Sequence, residues 1–189
     1  MKKRLLKLVK YLVVIVLLLF LLLFATKLVL DKPLPDGLEN EKAEILAQKM
    51  LLAINDSAWQ KIEAVKWNFD NRHQILWDKR RHLAKVEWGS FVAYMDCETQ
   101  KGYIEKNGQQ IVDADETKEL LAKAYFIWAN DSYWLNPVSK IYDDGVTRKY
   151  VELEDGNGAL LVTYSSGGVT PGDSYLWYVD ENGLPYKWE

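Results

Sequence analysis

The chain has 189 residues, of which 49% are hydrophobic and 13% aromatic, and it carries a formal net charge of −3. Six of its 24 basic residues lie within residues 2–27, where no acidic residue occurs, so 18 basic residues face 27 acidic ones in the remainder. This acidic balance argues against nucleic acid and acidic lipid headgroups as partners of that remainder. The single cysteine, Cys97, excludes an internal disulfide, so packing must hold the fold.

The first thirty residues predict a membrane anchor. Residues 1–10 hold five basic side chains and no acidic one, and residues 11–30 form an almost unbroken apolar run. A helix over 11–30 is about 30 Å long, which matches the hydrocarbon thickness of a bilayer. We therefore expect a cytoplasmic basic segment at 1–10 and a single-pass transmembrane helix at 11–30. The protein would be located in the cell membrane, with its C-terminal domain periplasmic or extracellular.

A cleaved signal peptide is the alternative interpretation of this stretch. Residues Ala25, Thr26 and Lys27 make a poor cleavage site, and the only cysteine, Cys97, lies too far away to be lipidated there. We therefore favour an uncleaved signal anchor. Two prolines and a glycine within 31–39 predict a short, stiff linker, followed by one domain over 40–189.

This domain begins with a predicted amphipathic helix and a β-meander. Apolar residues recur at helical spacing over 40–54, where Asn40 is placed to cap the helix. Alternation of apolar and polar residues then predicts about six strands joined by tight turns. Their ranges are 65–69, 74–78, 82–88, 91–97, 102–105 and 109–112.

A second helix interrupts the predicted sheet. Acidic residues from Asp113 to Glu116 suit the positive end of a helix dipole, and an apolar stripe follows to about Ala129. Further strands are predicted at 133–138, 146–153, 159–165 and 174–179. Residues 186–189 resemble the opening of another strand, so we expect the natural fold to continue past Glu189.

The sequence shows no constellation typical of catalysis or of metal binding. His73 and His82 have no further His or Cys at metal-ligand spacing, and the acidic neighbours of Cys97 should raise the pKa of its thiol. No nucleotide-binding glycine loop or nucleophile elbow follows a predicted strand. We therefore predict no catalytic residue, no metal, no cofactor and no enzymatic activity.

Three loops carry alternative interpretations. The stretches from Asp143 to Gly145 and from Glu154 to Asn157 concentrate acidic residues, which suit Ca²⁺ in principle but fit tight turns better in their spacing. The loop from Ser165 to Asp173 holds two adjacent glycines and a Pro-Gly pair. For this last loop a functional rim and a plain structural loop fit equally well.

Aromatic side chains on the predicted strands are the candidate ligand-binding residues. They are Trp67, Phe69, Trp77, Tyr164 and Trp177. By default such residues, and Trp134 with them, belong to the core. They would line a ligand site only where a curved sheet leaves its apolar face incompletely filled. If registers agree, alternation places the apolar residues of strands 65–69, 159–165 and 174–179 on one face, which must then be covered.

The order of elements resembles the LolA/LolB-like lipoprotein-carrier superfamily. Residues 130–145 and 167–180 are similar to outer-membrane-lipoprotein-sorting-like proteins, and the resemblance covers roughly 40–189. It implies an α+β fold in which a strongly curved antiparallel sheet, a half-open β-barrel, carries helices on its concave face and shelters acyl chains. The chain departs from the soluble carriers by its predicted anchor, and from the lipoprotein acceptors because it lacks a lipidation cysteine.

We therefore expect a membrane-anchored cell-envelope protein that binds a lipid or a lipidated ligand, such as a lipoprotein, in an apolar cavity without catalysis. The alternative is an interaction module or structural subunit of an envelope complex whose core is filled by its own side chains. The sequence identifies no particular protein partner. A cavity in the domain separates the two hypotheses, because a filled interior excludes the binding function.

Overall fold

The computed structural model describes the backbone of residues 2–30 and 33–189, and within the first stretch the side chains of residues 7, 9–24 and 26. The chain forms two compact units, residues 1–36 and residues 37–189. The first unit holds helix α1, Lys2–Leu30. The remaining helices and all described strands belong to the second unit.

The predicted transmembrane anchor at 11–30 is overturned. Among the described residues, no helix combines the length and the apolar character needed to cross a membrane. The predicted single-pass topology, signal anchor and cell-membrane location are corrected with it. The side chains of 25 and 27–30 lie outside the described residues.

Two short helices open the second unit. Helix α2, Glu41–Ala53, begins where the sequence predicts it, because the side chain of Asn40 accepts a hydrogen bond from the backbone N–H of Ala43 at 3.1 Å. Residues Ala43, Ala47 and Met50 lie on one face of α2 and are fully buried. Asn55 then adopts a left-handed conformation with φ 54°, and helix α3, Asp56–Lys61, follows.

A six-stranded antiparallel sheet follows, in which every strand pairs with its neighbour in sequence. The strands are β1 Ala64–Phe69, β2 His73–Asp78, β3 Leu83–Trp88, β4 Phe91–Asp96, β5 Gly102–Lys106 and β6 Gln109–Gln110. Buried and partly exposed residues alternate along most of β3 and β4, as expected for a sheet with one covered face. The predicted meander is therefore confirmed.

Helix α4, Ala114–Leu135, covers this sheet. The carboxylate of Asp113 caps its start by accepting from the N–H of Glu116 at 2.8 Å. Leu121, Ala124 and Ile127 then pack into the core of the first sheet. The strand predicted at 133–138 is wrong, because α4 continues to Leu135 and a 3₁₀ helix, Pro137–Lys140, follows. The proline ends α4, since its ring disfavours a helical conformation at the preceding residue.

The last four strands form a second antiparallel sheet, in the order β10-β9-β8-β7. They are β7 Val146–Glu152, β8 Gly158–Tyr164, β9 Ser174–Val179 and β10 Pro185–Trp188. Helix α2 packs its buried face on this sheet, against Leu160, Val162 and Trp177. Leu38 adds an antiparallel bridge to Tyr150 through two backbone hydrogen bonds of 3.0 and 2.9 Å.

The domain is therefore α+β with antiparallel sheets, but the predicted half-open β-barrel is wrong. Strand β6 has only two residues, both exposed and polar, and the chain then leaves the first sheet through α4. Two separate sheets result, and neither is strongly curled. The helices do not share a concave face, because α4 covers the first sheet and α2 the second. The predicted common apolar face holds for two of its three strands: the apolar residues of β8 and β9 share one cluster on the second sheet, whereas β1 lies in the first sheet.

Candidate functional site

The C-terminal half of α4 borders a cavity of about 440 Å³. The other walls come from the segment between the 3₁₀ helix and β7, from the ends of β8 and β9, and from the loop between those strands. This volume lies within the roughly 300–1,000 Å³ typical of small-molecule sites. Six aromatic residues contribute to the lining: Tyr125, Trp128, Tyr133, Trp134, Tyr164 and Tyr175.

Helical and strand geometry bring these rings together. Leu121, Ala124 and Ile127 direct one face of α4 to the first sheet, so the neighbouring positions along the helix border the cavity. Tyr164 ends β8 and Tyr175 begins β9, where the antiparallel pairing keeps both near the same end of the second sheet. The cavity thus lies where α4 meets the second sheet.

The rings stand at steep angles to one another. The rings of Tyr133 and Tyr164 have centroids 5.4 Å apart and planes at 85°, and those of Tyr164 and Tyr175 are 6.2 Å apart at 73°. Such edge-to-face contacts are a favourable arrangement of aromatic pairs, worth about 0.5–1.5 kcal/mol each beyond their buried area. The interlocked rings fix the cavity wall and present ring faces in several directions.

Three polar atoms of this wall have no partner. The phenol oxygens of Tyr133 and Tyr164 and the indole nitrogen of Trp128 are buried and make no hydrogen bond within the described part of the chain. Burial raises the pKa of both phenols, that of Tyr164 to about 12. The two phenols also act on each other: a weak contact between their hydroxyls raises the pKa of Tyr133 and lowers that of Tyr164. Each therefore keeps its proton at neutral pH and offers an O–H donor.

The polar side of the cavity is acidic. Asp143, Asp144, Asp173 and Lys140 contribute to the lining, which gives these four side chains a formal charge of −2. The Lys140 ammonium lies 3.7 Å from a carboxylate oxygen of Asp143, and Tyr175 Oη donates to Asp173 at 3.4 Å. The Asp143 side chain is 56% exposed, yet partial burial raises its pKa, against the lowering effect of Lys140.

The loop from Ser165 to Asp173 forms the rim. Its ends are held by backbone hydrogen bonds from Tyr164 N to Asp173 O at 2.9 Å and from Ser165 N to Gly145 O at 2.8 Å. Gly145 has φ 78°, and a Cβ there would collide with Ser166. Only glycine suits that position, because it must both adopt the left-handed conformation and allow the two loops to approach.

The structure does not bring the five predicted ligand-binding residues together. Of these, Tyr164 lines the cavity. Trp67 and Trp77 pack against the core of the first sheet, Phe69 stacks on His73 with centroids 6.2 Å apart, and Trp177 is 5% exposed in the core of the second sheet. Trp134 lines the cavity as well, but from α4 rather than from a strand.

Sequence reasoning missed most of the cavity wall. Tyr125, Trp128 and Tyr133 border the cavity from one helix, and Tyr175 faces them from β9. One signal was available in the sequence. Trp128 and Tyr133 follow Tyr125 by three and eight residues, a spacing that keeps the three rings close on a helix. The strand predicted from residue 133 onward concealed this relation.

A buried acid–histidine pair lies beside this wall. Asp131 on α4 is 1% exposed, and its carboxylate is 2.7 Å from Nδ1 of His73 on β2. Its second oxygen accepts from the side-chain amide of Asn130 at 3.0 Å, and Asn130 in turn contributes to the cavity lining. The pair connects the first sheet to α4. In the part of the chain that the structure describes, no three His, Cys, Asp or Glu side chains are grouped to hold a metal ion.

Comparison with protein-family models, with curated proteins and with solved structures finds no match to this chain. The resemblance to the lipoprotein carriers therefore remains a prediction, and the geometry of the cavity carries the functional argument.

Proposed function

We propose that this protein binds a small amphiphilic molecule of the lipid class in the cavity between α4 and the 165–173 loop, without transforming it. The observation that carries the proposal is a cavity of about 440 Å³ whose aromatic wall holds three buried polar atoms without partners. Buried polar groups in proteins nearly always have a hydrogen-bond partner. Of the seven buried side-chain atoms without one in the described part of the chain, three lie at this cavity, where a ligand that supplies acceptors can reach them.

The cavity wall suits the two parts of such a ligand. An alkyl chain placed against the rings is stabilised by about 0.8 kcal/mol for each CH₂ removed from water. An ester or hydroxyl oxygen of the same ligand can accept from the phenols of Tyr133 and Tyr164. Each hydrogen bond adds about 0.5–1.5 kcal/mol net, and more where a buried donor would otherwise remain unpaired.

The alternative function, an interaction module with a filled core, is less consistent with this arrangement. A core filled by its own side chains leaves few voids larger than a water molecule. The cavity is partly open at the surface and has room for many water molecules, each of which occupies about 30 Å³ of liquid. The cavity therefore supports the binding hypothesis.

Calorimetric titration of the purified full-length protein with monooctanoylglycerol, an uncharged amphiphile with ester and hydroxyl oxygens, tests the proposal. We expect saturable binding at one site, with a blue shift of tryptophan fluorescence from Trp128 and Trp134. Tyr133→Phe and Tyr164→Phe keep the rings and remove the donors, so each should weaken binding by about three- to tenfold.

Tyr103→Phe is the matched control, because Tyr103 is 40% exposed on β5 and stacks on Tyr94 away from the cavity. It should leave the affinity unchanged. A folded protein that shows no saturable heat, or equal losses in all three variants, would contradict binding in this cavity.

A further inference from the structure

Negative charges outnumber positive ones around the cavity, and this excess bears on the charge of the ligand's head group. Three carboxylates, those of Asp143, Asp144 and Asp173, contribute to the lining together with a single ammonium, that of Lys140. Lys140 is paired with Asp143 at 3.7 Å. Among the described residues, neither Asp144 nor Asp173 forms an ion pair with a basic side chain.

The nearest arginine on β7 is already engaged elsewhere. Arg148 donates from Nε to Glu44 of α2 at 2.9 Å and from Nη1 to the carbonyl oxygen of Ile141 at 2.8 Å. Its guanidinium also lies over the ring of Tyr142, 4.2 Å from the centroid. Four interactions of this kind, including a further bond to Val146 O at 3.2 Å, hold Arg148 away from the cavity carboxylates.

The aromatic wall strengthens the preference for positive charge. Faces of tyrosine and tryptophan carry negative electrostatic potential, so rings that border a cavity from several directions attract an organic cation. Tyr133, Tyr164 and Tyr175 meet at angles between 31° and 85°, so their faces point in different directions. An anionic head group would meet two carboxylates without a counter-charge.

We propose that the cavity selects amphiphiles with a quaternary ammonium head group, the head lying between the aromatic rings and the carboxylates of Asp144 and Asp173. This inference rests on the proposed function and adds the charge of the ligand to it. A quaternary ammonium has no N–H to donate. Recognition by ring faces and opposite charge suits it better than recognition by hydrogen-bond acceptors.

Three probes with an eight-carbon chain, which in octanoate includes the carboxylate carbon, separate the charge from the apolar part: octyltrimethylammonium, octyl glucoside and octanoate. Each is titrated by calorimetry into the full-length protein below its aggregation concentration. We expect the cation to bind about tenfold more tightly than the neutral probe and the anion to bind more weakly than both. Raising the salt concentration should reduce the advantage of the cation, because salt screens the carboxylates.

Two variants test which carboxylates produce the preference for the cation. Asp144→Asn and Asp173→Asn should each reduce the affinity for octyltrimethylammonium about threefold or more and leave that for octyl glucoside nearly unchanged. Two positions are used because Asp173 also accepts from Tyr175, so its change alone could disturb the rim. Asp115→Asn is the control, since it removes the same charge from an exposed position in the first turn of α4.

The two proposals fail in different ways. If no probe binds, the cavity is not an amphiphile site and the proposed function falls. If all three bind with similar affinity, or octanoate binds best, the amphiphile site stands and the selection for cations is refuted. An equal loss in Asp115→Asn would assign the preference to the overall charge of the protein rather than to the cavity.

Discussion

At the scale of single residues, the buried carboxylate of Asp131 depends strongly on its hydrogen-bond partners. A carboxylate that is 1% exposed loses nearly all of its hydration, and only partners within the protein can replace that loss. His73 and Asn130 contact one oxygen each, at 2.7 and 3.0 Å. Because His73 belongs to β2 and Asp131 to α4, this pair also fixes the position of the helix on the sheet.

Replacing Asp131 by alanine should therefore lower the free energy of unfolding by about 3 kcal/mol. The change leaves the half-buried ring of His73 without its partner and opens a small void. Glu63→Ala is the control, because the Glu63 and Arg80 side chains are 73% and 75% exposed and such surface pairs contribute less than about 1 kcal/mol. Urea denaturation measures both. Similar losses for the two variants would show that the Asp131 pair adds no more than a surface contact.

Cys97 shows how far local sequence determines chemistry. Its acidic neighbours predicted a raised thiol pKa, and the pKa is raised, to about 12. The larger cause is burial, with Asp96 and Glu98 adding to it. The direction of the pKa shift could be predicted from the adjacent residues. The burial of Cys97 depends instead on the packing of β4 against α4, which no neighbour in sequence indicates.

At the scale of elements, a close contact between the backbones of two strands lies at the start of β5. Gly102 pairs with Met95 of β4, and a Cβ at this position would collide with the backbone carbonyl of Tyr94 and lie 2.9 Å from the Cα of Met95. Both obstacles belong to the backbone and cannot rotate away. Strand β5 can therefore approach β4 in this register only with glycine at position 102.

Gly102→Ala should accordingly destabilise the protein by about 3 kcal/mol, since the strands must separate to admit the methyl group. Gly89→Ala serves as the comparison. It lies in the β3–β4 turn with φ 53° and has open space around it, so only backbone strain of about 1 kcal/mol is expected. Thermal unfolding of both variants compares the two losses of stability. A smaller shift in melting temperature for Gly102→Ala than for Gly89→Ala would refute the steric argument.

Elements with a strong local signal were predictable. The six strands of the first sheet, the cap of α2 by Asn40 and the start of α4 at its acidic residues follow from alternation and from residues at each element's start. The end of α4 was not predictable in this way. Tyr133 and Trp134 have high strand propensity, and the packing of the helix overrides that propensity.

At the scale of the whole molecule, tyrosines link stability to alkaline pH. The pKa of Tyr164 is raised to about 12 by burial, and that of Tyr142 to about 12 by burial and by its hydrogen bond to Glu44. An unfolded tyrosine loses its proton near pH 10. Between about pH 10 and pH 12 the folded protein therefore binds more protons than the unfolded chain, and its stability falls as the pH rises.

We expect the urea concentration at the unfolding midpoint to stay at its highest value below pH 10 and to decline between pH 10 and pH 12. In Tyr164→Phe the decline should be shallower, by up to about 1.4 kcal/mol per pH unit. Tyr186→Phe, whose side chain is 67% exposed, should follow the decline of the unchanged protein. If Tyr164→Phe and the unchanged protein decline in parallel, Tyr164 does not couple folding to proton loss.

The division into two sheets was the part of the fold that the sequence could not reveal. Alternation in β1, β8 and β9 is the same whichever sheet a strand joins, so period alone cannot assign partners. Pairing depends on contacts such as Leu160 with Trp177, between strands whose sheet membership is decided by where α4 places the chain. The cavity was not predictable for the same reason. Four of its six aromatic residues lie on α4, and Tyr164 and Tyr175 belong to the second sheet.

The sequential order of strands in both sheets has a consequence for how quickly the chain folds. Each strand finds its partner across a connection of nine residues or fewer, so loop closure costs little entropy and hairpins can be added one after another within microseconds. Helix α2 is the exception, because its partners β7 and β8 lie about a hundred residues later in the chain. The slow step should therefore be the docking of α2 and of Leu38 on the second sheet, after the first sheet and α4 have already formed.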